Sequence, residues 1–190
     1  MTEERGAHGS GRDLTPSLVV RLRAGDDQAG AILDQLYRKP MIRFCWGYLG
    51  SLQDAEDAVQ EVFCKVLRTP AVPENFRVWL YKIARNHCLN VLRGRARHPD
   101  ARVLTPSAAL DAERTGNLTR LVKQELRARM FHLVAALPAG YRESLRLRYV
   151  EGLSRTEIAY VLEASEAQVK EQLFEGLRRL REHSSLLEDR

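Results

Sequence analysis

Between positions 54 and 97 apolar residues fall twice into helical spacing, and the charge of the intervening positions reverses from one stretch to the next. In the first, Ala55, Ala58, Val59, Val62, Phe63 and Val66 keep the i, i+3, i+4 rhythm of a buried stripe, while Asp54, Glu56, Asp57, Gln60 and Glu61 take the outer positions. In the second, Leu80, Ile83, Ala84, His87, Cys88 and Val91 face inward, and Lys82, Arg85, Asn86, Asn90, Arg93, Arg95 and Arg97 face out. The pattern predicts an acidic helix followed by a basic one. Between them lies TPAVPENFR, residues 69–77, whose two prolines forbid helix and are expected to expose Glu74, Asn75, Phe76 and Arg77.

The flanking segments complete two helical units. Before position 54, Ser17 to Ala24 reads as a short helix and Asp27 to Tyr37 as another, with Ile32, Leu33 and Leu36 inside. Pro40 is expected to interrupt, and Met41 to Leu49 forms a further helix carrying Phe44, Cys45, Tyr48 and Leu49. Gly50 closes it, and Ser51 or Gln53 with Asp54 opens the acidic helix. Residues 16–97 thus read as one helical bundle. Residues 1–15 are Gly-rich, charged and poor in apolar side chains, the composition of a disordered tail. Residues 98–117, with two prolines and no sustained stripe, read as a flexible linker.

From 118 to 190 the helical rhythm returns. Leu126, Met130, Leu133, Val134 and Leu137 make one stripe; Pro138 begins the next helix, with Tyr141, Leu145 and Tyr149 on one side, and Gly152 stops it. Ser154 with Glu157 spells a capping box before Ile158, Ala159, Val161 and Leu162. Ser165 with Gln168 repeats it before Val169, Leu173, Leu177 and Leu180. Two capped units separated by the break Glu163 to Ser165 are the sequence form of a helix-turn-helix, whose second helix enters the major groove by its N-terminal part. The fold class expected is all-α, in two helical domains joined by the linker.

Bulk composition narrows the chemistry only a little. The 190 residues hold 30 Lys and Arg against 25 Asp and Glu, a net charge of +5, which suits a nucleic-acid partner without requiring one. Distribution says more than the total. Cations and Asn amides near Phe76, Trp79 and Tyr81 suit single-stranded or melting DNA, because phosphates need positive charge and unstacked bases need a flat apolar surface. Trp79 fits core packing or base contact, with packing favoured. Cys45, Cys64 and Cys88 are odd in number, lack a CxxC pair and sit in apolar helical patterns, so they read as buried small side chains in a cytoplasmic protein. No metal site, cofactor, secretion signal or membrane span is expected, and no catalytic constellation stands out, so the chain reads as a non-enzyme.

Amphipathic helix pairs by themselves mark ordinary scaffold; the ordered string is more specific. DAEDAVQEVFCKV followed by NFRVWLYKIARNHCLNVLR resembles region 2 of bacterial sigma factors of the extracytoplasmic-function group. ALPAGYRESLRLRYVEGLSRTEIAYVLEASEAQVKEQLFEGLRRLRE resembles region 4, in the same order along the chain. The resemblance implies that Asp54, Asp57, Gln60 and Glu61 dock on the β′ clamp helices of bacterial core RNA polymerase. It implies that Asn75, Phe76, Arg77, Lys82, Arg85, Asn86 and Asn90 open and read the −10 element, with the loop receiving a flipped base. Region 4 would meet the β flap and address −35 DNA through Arg155, Thr156, Gln168, Lys170, Glu171 and Arg178. An anti-sigma factor as inhibitor is implied too. A helix-turn-helix regulator that never meets polymerase, and a degenerate sigma-like antagonist, are the competing classes.

The second match departs from the family where the turn and recognition helix meet. Members commonly have Gly at the turn and small or basic residues after the recognition-helix Lys; here Glu163 and Ala164 form the turn, and Glu171 and Gln172 follow Lys170. A left-handed turn residue with a side chain costs about 1–2 kcal/mol. Glu166, Glu171 and Glu175 would repel phosphates unless they face bases or solvent. Glu171 or Gln172 either reads a base, by accepting from cytosine or pairing with adenine, or is solvated.

Overall fold

The computed structural model describes residues 16–70, 73–97, 133–134 and 136–188. The expected tail, the linker, and Leu126 and Met130 of the first region 4 stripe lie outside these residues. The chain divides into two compact units, Met1–Ser107 and Ala108–Arg190. Every regular element among the described residues is an α-helix.

In the first unit α1 is Pro16–Arg23, α2 Asp27–Leu49, α3 Leu52–Arg68 and α4 Phe76–Arg97. Asp26 caps α2 by accepting from the backbone N–H groups of Gln28 and Ala29, and Arg21, by donating to the carboxylate, lowers its pKa. The expected break at Pro40 does not occur: α2 runs through it for 23 residues. An interior proline costs a helix about 3 kcal/mol. Here that cost is offset by burial on both sides of it, since Leu33, Tyr37, Met41, Phe44, Cys45 and Leu49 all lie in the core. Helix α2 ends as expected at Gly50, whose φ of 71° is one glycine adopts freely, and Ser51 caps α3 by accepting from the Asp54 N–H.

Among the aliphatic side chains of this unit's core lie four buried rings, Tyr37, Phe44, Phe76 and Tyr81. Phe44 meets Tyr81 edge-on at 5.0 Å between centroids and Tyr48 at 5.2 Å, and Phe76 meets Tyr37 at 5.6 Å. Helix α3 contributes Ala55, Ala58, Val59, Val62 and Val66, the stripe its sequence announced, with Phe63 half-buried at the edge.

In the second unit α5 is Ala139–Tyr149, α6 Arg155–Leu162 and α7 Glu166–Glu188. Among the described residues its core is aliphatic, with Leu137, Leu145, Leu147, Leu153, Ile158, Val161, Val169 and Leu173 buried. Tyr149 was expected on the inner side with Tyr141 and Leu145 but is 63% exposed. The buried positions of α5 are Ser144, Leu145 and Leu147, so its inner face keeps Leu145 of the expected stripe, with Tyr141 half-buried, and leaves out Tyr149. Helices α5 and α7 pack closely at Gly176, where a Cβ would come within 2.9 Å of Leu145 Cδ1.

Candidate functional site

On α3, Asp57, Gln60 and Glu61 stand exposed in one row, spaced i, i+3, i+4. Asp54, counted with them from sequence, is placed differently. Its carboxylate is half-buried and lies 2.8 Å from Arg95 Nη2 of α4, and Arg95 Nη1 also reaches the Leu49 carbonyl at 3.4 Å. Asp54 therefore ties α3 to α4, and the outward acidic row begins at Asp57. Further along, Lys65 Nζ sits 3.2 Å from His87 Nδ1. Asp54 meets Arg95 and Lys65 meets His87, so α3 and α4 run in opposite directions along this contact. Burial lowers the pKa of His87, Lys65 lowers it further, and Glu61 acts in the opposite sense.

The segment between these helices is braced at both ends. Arg23 of α1 donates from Nη1 to the Pro70 carbonyl at 2.9 Å and from Nε to the Val66 carbonyl at 3.4 Å, where the last carbonyls of α3 lack helical partners. At the other end Asn75 Oδ1 accepts from the Val78 N–H at 3.0 Å, the geometry of an N-cap for α4. Asn75 and Glu74 are exposed.

Phe76 is not part of an exposed wall. It is 1% exposed, because α4 starts at this residue and its first turn packs on α2, with Phe76 against Tyr37 and, at 5.8 Å, Trp79. Tyr81 is buried as well, which leaves half-buried Trp79 as the one member of that aromatic group with an open surface. Arg77 lies with its guanidinium carbon 5.6 Å from the Tyr81 ring centroid. Lys82, Arg85 and Asn86 are half-buried and Asn90 exposed, in a row along α4; Asn90 accepts from Arg93 at 3.0 Å.

In the second unit both capping boxes form. Ser154 Oγ accepts from the Glu157 N–H at 3.2 Å while Glu157 Oε2 accepts from the Ser154 N–H at 2.7 Å. Ser165 and Gln168 do the same at 3.2 and 2.9 Å. Between them Glu163 takes a left-handed conformation, φ 55° and ψ 42°, the one positive φ outside glycine among the described residues. Thr156 Oγ1 donates to Glu166 Oε1 at 3.0 Å, fixing α6 against the start of α7. Arg155, Thr156, Gln168, Lys170, Glu171 and Arg178 are all exposed, but Thr156 and Gln168 hold structural hydrogen bonds. Gln172, weighed with Glu171 as a base reader, is half-buried and accepts from buried Ser144 at 2.5 Å, so it is engaged between α5 and α7. Glu175 accepts from Arg178 and Arg179, and those hydrogen bonds bring its pKa down to about 2.

Sequence patterning did not find Arg23 or Phe174, and it placed Arg95 on the outer face of its helix without its partner Asp54. The two arginines act across 41 to 47 positions, a separation no local pattern records. Phe174 is 72% exposed between Lys170 and Arg178 on the outer face of α7; its position off the buried stripe was the available signal.

Residues 33–98 match the family Sigma-70 region 2, and residues 127–180 match Sigma-70, region 4. Over 170 residues the chain is 30% identical to the ECF RNA polymerase sigma-E factor of Escherichia coli K12, covering 83% of this chain and 87% of that protein. The chain belongs to the sigma-70 family. It is an RNA polymerase sigma factor of the extracytoplasmic-function type, and is also 29% identical over 175 residues to the sigma factor SigW of Bacillus subtilis, covering 86% of this chain and 92% of SigW. Two solved structures share the fold. CnrH in complex with the cytosolic domain of CnrY gives a TM-score of 0.62 at 22% identity, covering 92% of this chain and 97% of that one. The sigma factor RpoE of Bartonella quintana, in complex with the anti-sigma factor NepR, gives 0.61 at 23%, covering 76% and 89%. No helix among the described residues is long and apolar enough to cross a membrane.

Proposed function

We propose that this sigma factor divides its work between oppositely charged surfaces of its first unit and the helix-turn-helix of its second. Asp57, Gln60 and Glu61 hold core polymerase at the β′ clamp helices. The segment around Asn75 and the polar row Arg77, Lys82, Arg85, Asn86 and Asn90 open and read the −10 element. Arg155, Lys170 and Glu171, with Thr156 and Gln168 setting the helix entry, address the −35 element, and the second unit meets the β flap. Polymerase performs the chemistry, so the chain needs no catalytic group or cofactor of its own, and it works in the cytoplasm.

The observation that carries this proposal is the exposed acidic row of α3 set apart from the cationic row of α4 in one unit. Carboxylates beside a nucleic-acid surface repel phosphate and lower its affinity. Two partners of opposite character account for both rows. An anti-sigma factor is the inhibitor proposed, in keeping with the RpoE of Bartonella quintana, which is described bound to one. The test is capture of core polymerase by the chain carrying Asp57→Lys and Glu61→Lys: binding is expected to fall by more than tenfold with the helical fold kept. Unchanged capture would remove the clamp assignment.

A further inference from the structure

Helix α7 carries its cations and carboxylates in a fixed arrangement. Arg178 donates to both oxygens of Glu175, from Nη2 at 2.5 Å and from Nε at 2.8 Å, and from Nη1 to Glu182 at 2.5 Å. Glu175 Oε1 also accepts from Arg179 Nε at 3.0 Å, and the Arg179 guanidinium carbon lies 5.0 Å from the centroid of the Tyr141 ring. Isolated surface ion pairs contribute little, but a two-pronged carboxylate on a fork with a second carboxylate behind it is a network. Two arginines are matched there by two glutamates.

This arrangement bears on DNA binding through its electrostatics. A free arginine that meets a phosphate releases condensed counterions, and the contact tightens binding to every sequence alike. An arginine already matched by a carboxylate releases none on balance. To reach phosphate, Arg178 must leave Glu175 and Glu182 and bring their charge close to the DNA. We infer that Glu175, seconded by Glu182, is a specificity-determining residue of the recognition helix: it occupies Arg178, suppresses sequence-independent phosphate binding and leaves discrimination to the N-terminal turns. The inference rests on α7 being the helix that enters promoter DNA.

The consequence is a difference in salt dependence. The experiment measures fluorescence anisotropy of the full chain on a labelled duplex of random sequence across a salt series, comparing the native protein with Glu175→Gln/Glu182→Gln. Because glutamine keeps the shape and removes the charge, the double variant is expected to bind the random duplex about tenfold tighter at low salt. The slope of log affinity against log salt should steepen by about one. Adding Arg178→Ala to the double variant should erase the gain. An unchanged slope, even with a shift in melting temperature, would overturn the inference and leave the network a structural brace. Arg155→Ala/Lys170→Ala in the same assay separates the two levels: weakened binding supports α7 as the DNA helix whatever Glu175 does. No change there would overturn that premise and the inference with it.

Discussion

The two units of this sigma factor handle charge in opposite ways. In the first, the outward acidic row Asp57, Gln60 and Glu61 of α3 is kept apart from Lys82 and Arg85 of α4, with a cross-helix pair at Asp54 and Arg95, although α3 ends in Lys65 and Arg68 and α2 carries its own Arg38–Asp34 pair. In the second, both signs share α7, where Glu175 and Glu182 match Arg178 and Arg179 within two turns. The interiors differ as well. In the first unit the rings Tyr37–Phe76 and Phe44–Tyr81 pack in pairs within the core, while in the second the described core residues are aliphatic and are joined by capping boxes and the Ser144–Gln172 and Thr156–Glu166 links. In the proposed function, keeping the acidic row of α3 apart from the cations of α4 gives one unit two faces for two partners. Mixing charge along one helix keeps a cationic element from binding phosphate without regard to sequence.

The largest expected effect is on the aromatic core. Phe76→Ala should cost about 3–5 kcal/mol, because a nearly fully buried ring leaves a cavity among Tyr37 and Trp79. Both tryptophans, Trp46 and Trp79, lie in the first unit, so denaturant unfolding followed by tryptophan fluorescence reports that unit alone. A loss below about 1 kcal/mol would mean that Phe76 does not belong to the core.

At Glu163 the expected change has the other sign and falls in the other unit. Glu163→Gly should stabilise the helix-turn-helix by about 1 kcal/mol, since a left-handed residue with a Cβ is strained and glycine is not, less glycine's greater freedom when unfolded. Circular dichroism should show the later melting with the tryptophan transition unmoved.

Asn75 separates capping from base reading. Asn75→Ala should destabilise α4 by about 1 kcal/mol, whereas Asn75→Asp keeps an oxygen acceptor for the Val78 N–H and removes the amide donors. Slower promoter opening by both variants supports base contact, and slowing by alanine alone would reduce Asn75 to a cap.

The smallest effect is a pH dependence. His87 has a lowered pKa in the folded chain, so below the ordinary histidine value of 6.5 the unfolded state takes up protons more readily. Stability of the first unit should be full above that value and decline as pH falls through it. His87→Gln should flatten the curve, and an identical decline in the variant would assign it to other groups.

Much of this architecture was legible in the sequence for local reasons. The α3 stripe, the glycine stop at Gly50 and both capping boxes rest on residues within four positions of one another, and helical periodicity encodes them directly. Pro40 was misjudged because the local cost of proline is visible in sequence, whereas the tertiary packing of Tyr37, Met41 and Phe44 that outweighs it is not. Phe76 was misplaced for a related reason: a residue after two prolines looks like loop, and only the packing of α4 on α2 makes it core. Asp54 carried the charge expected of an interface residue, but its partner Arg95, 41 positions away, became visible only in three dimensions, whereas Arg178 pairs with Glu175 and Glu182 at the local i,i+3 and i,i+4 spacing of one helix.

The most direct test of the division between an acidic polymerase face and cationic promoter surfaces is run-off transcription, reconstituted from the full chain, core polymerase of its host and a pool of that host's promoter fragments at defined salt. The native chain should initiate at discrete starts that share two upstream elements, and Asp57→Lys/Glu61→Lys should abolish those transcripts by preventing polymerase binding. Equal initiation by the charge-reversed chain would contradict the division.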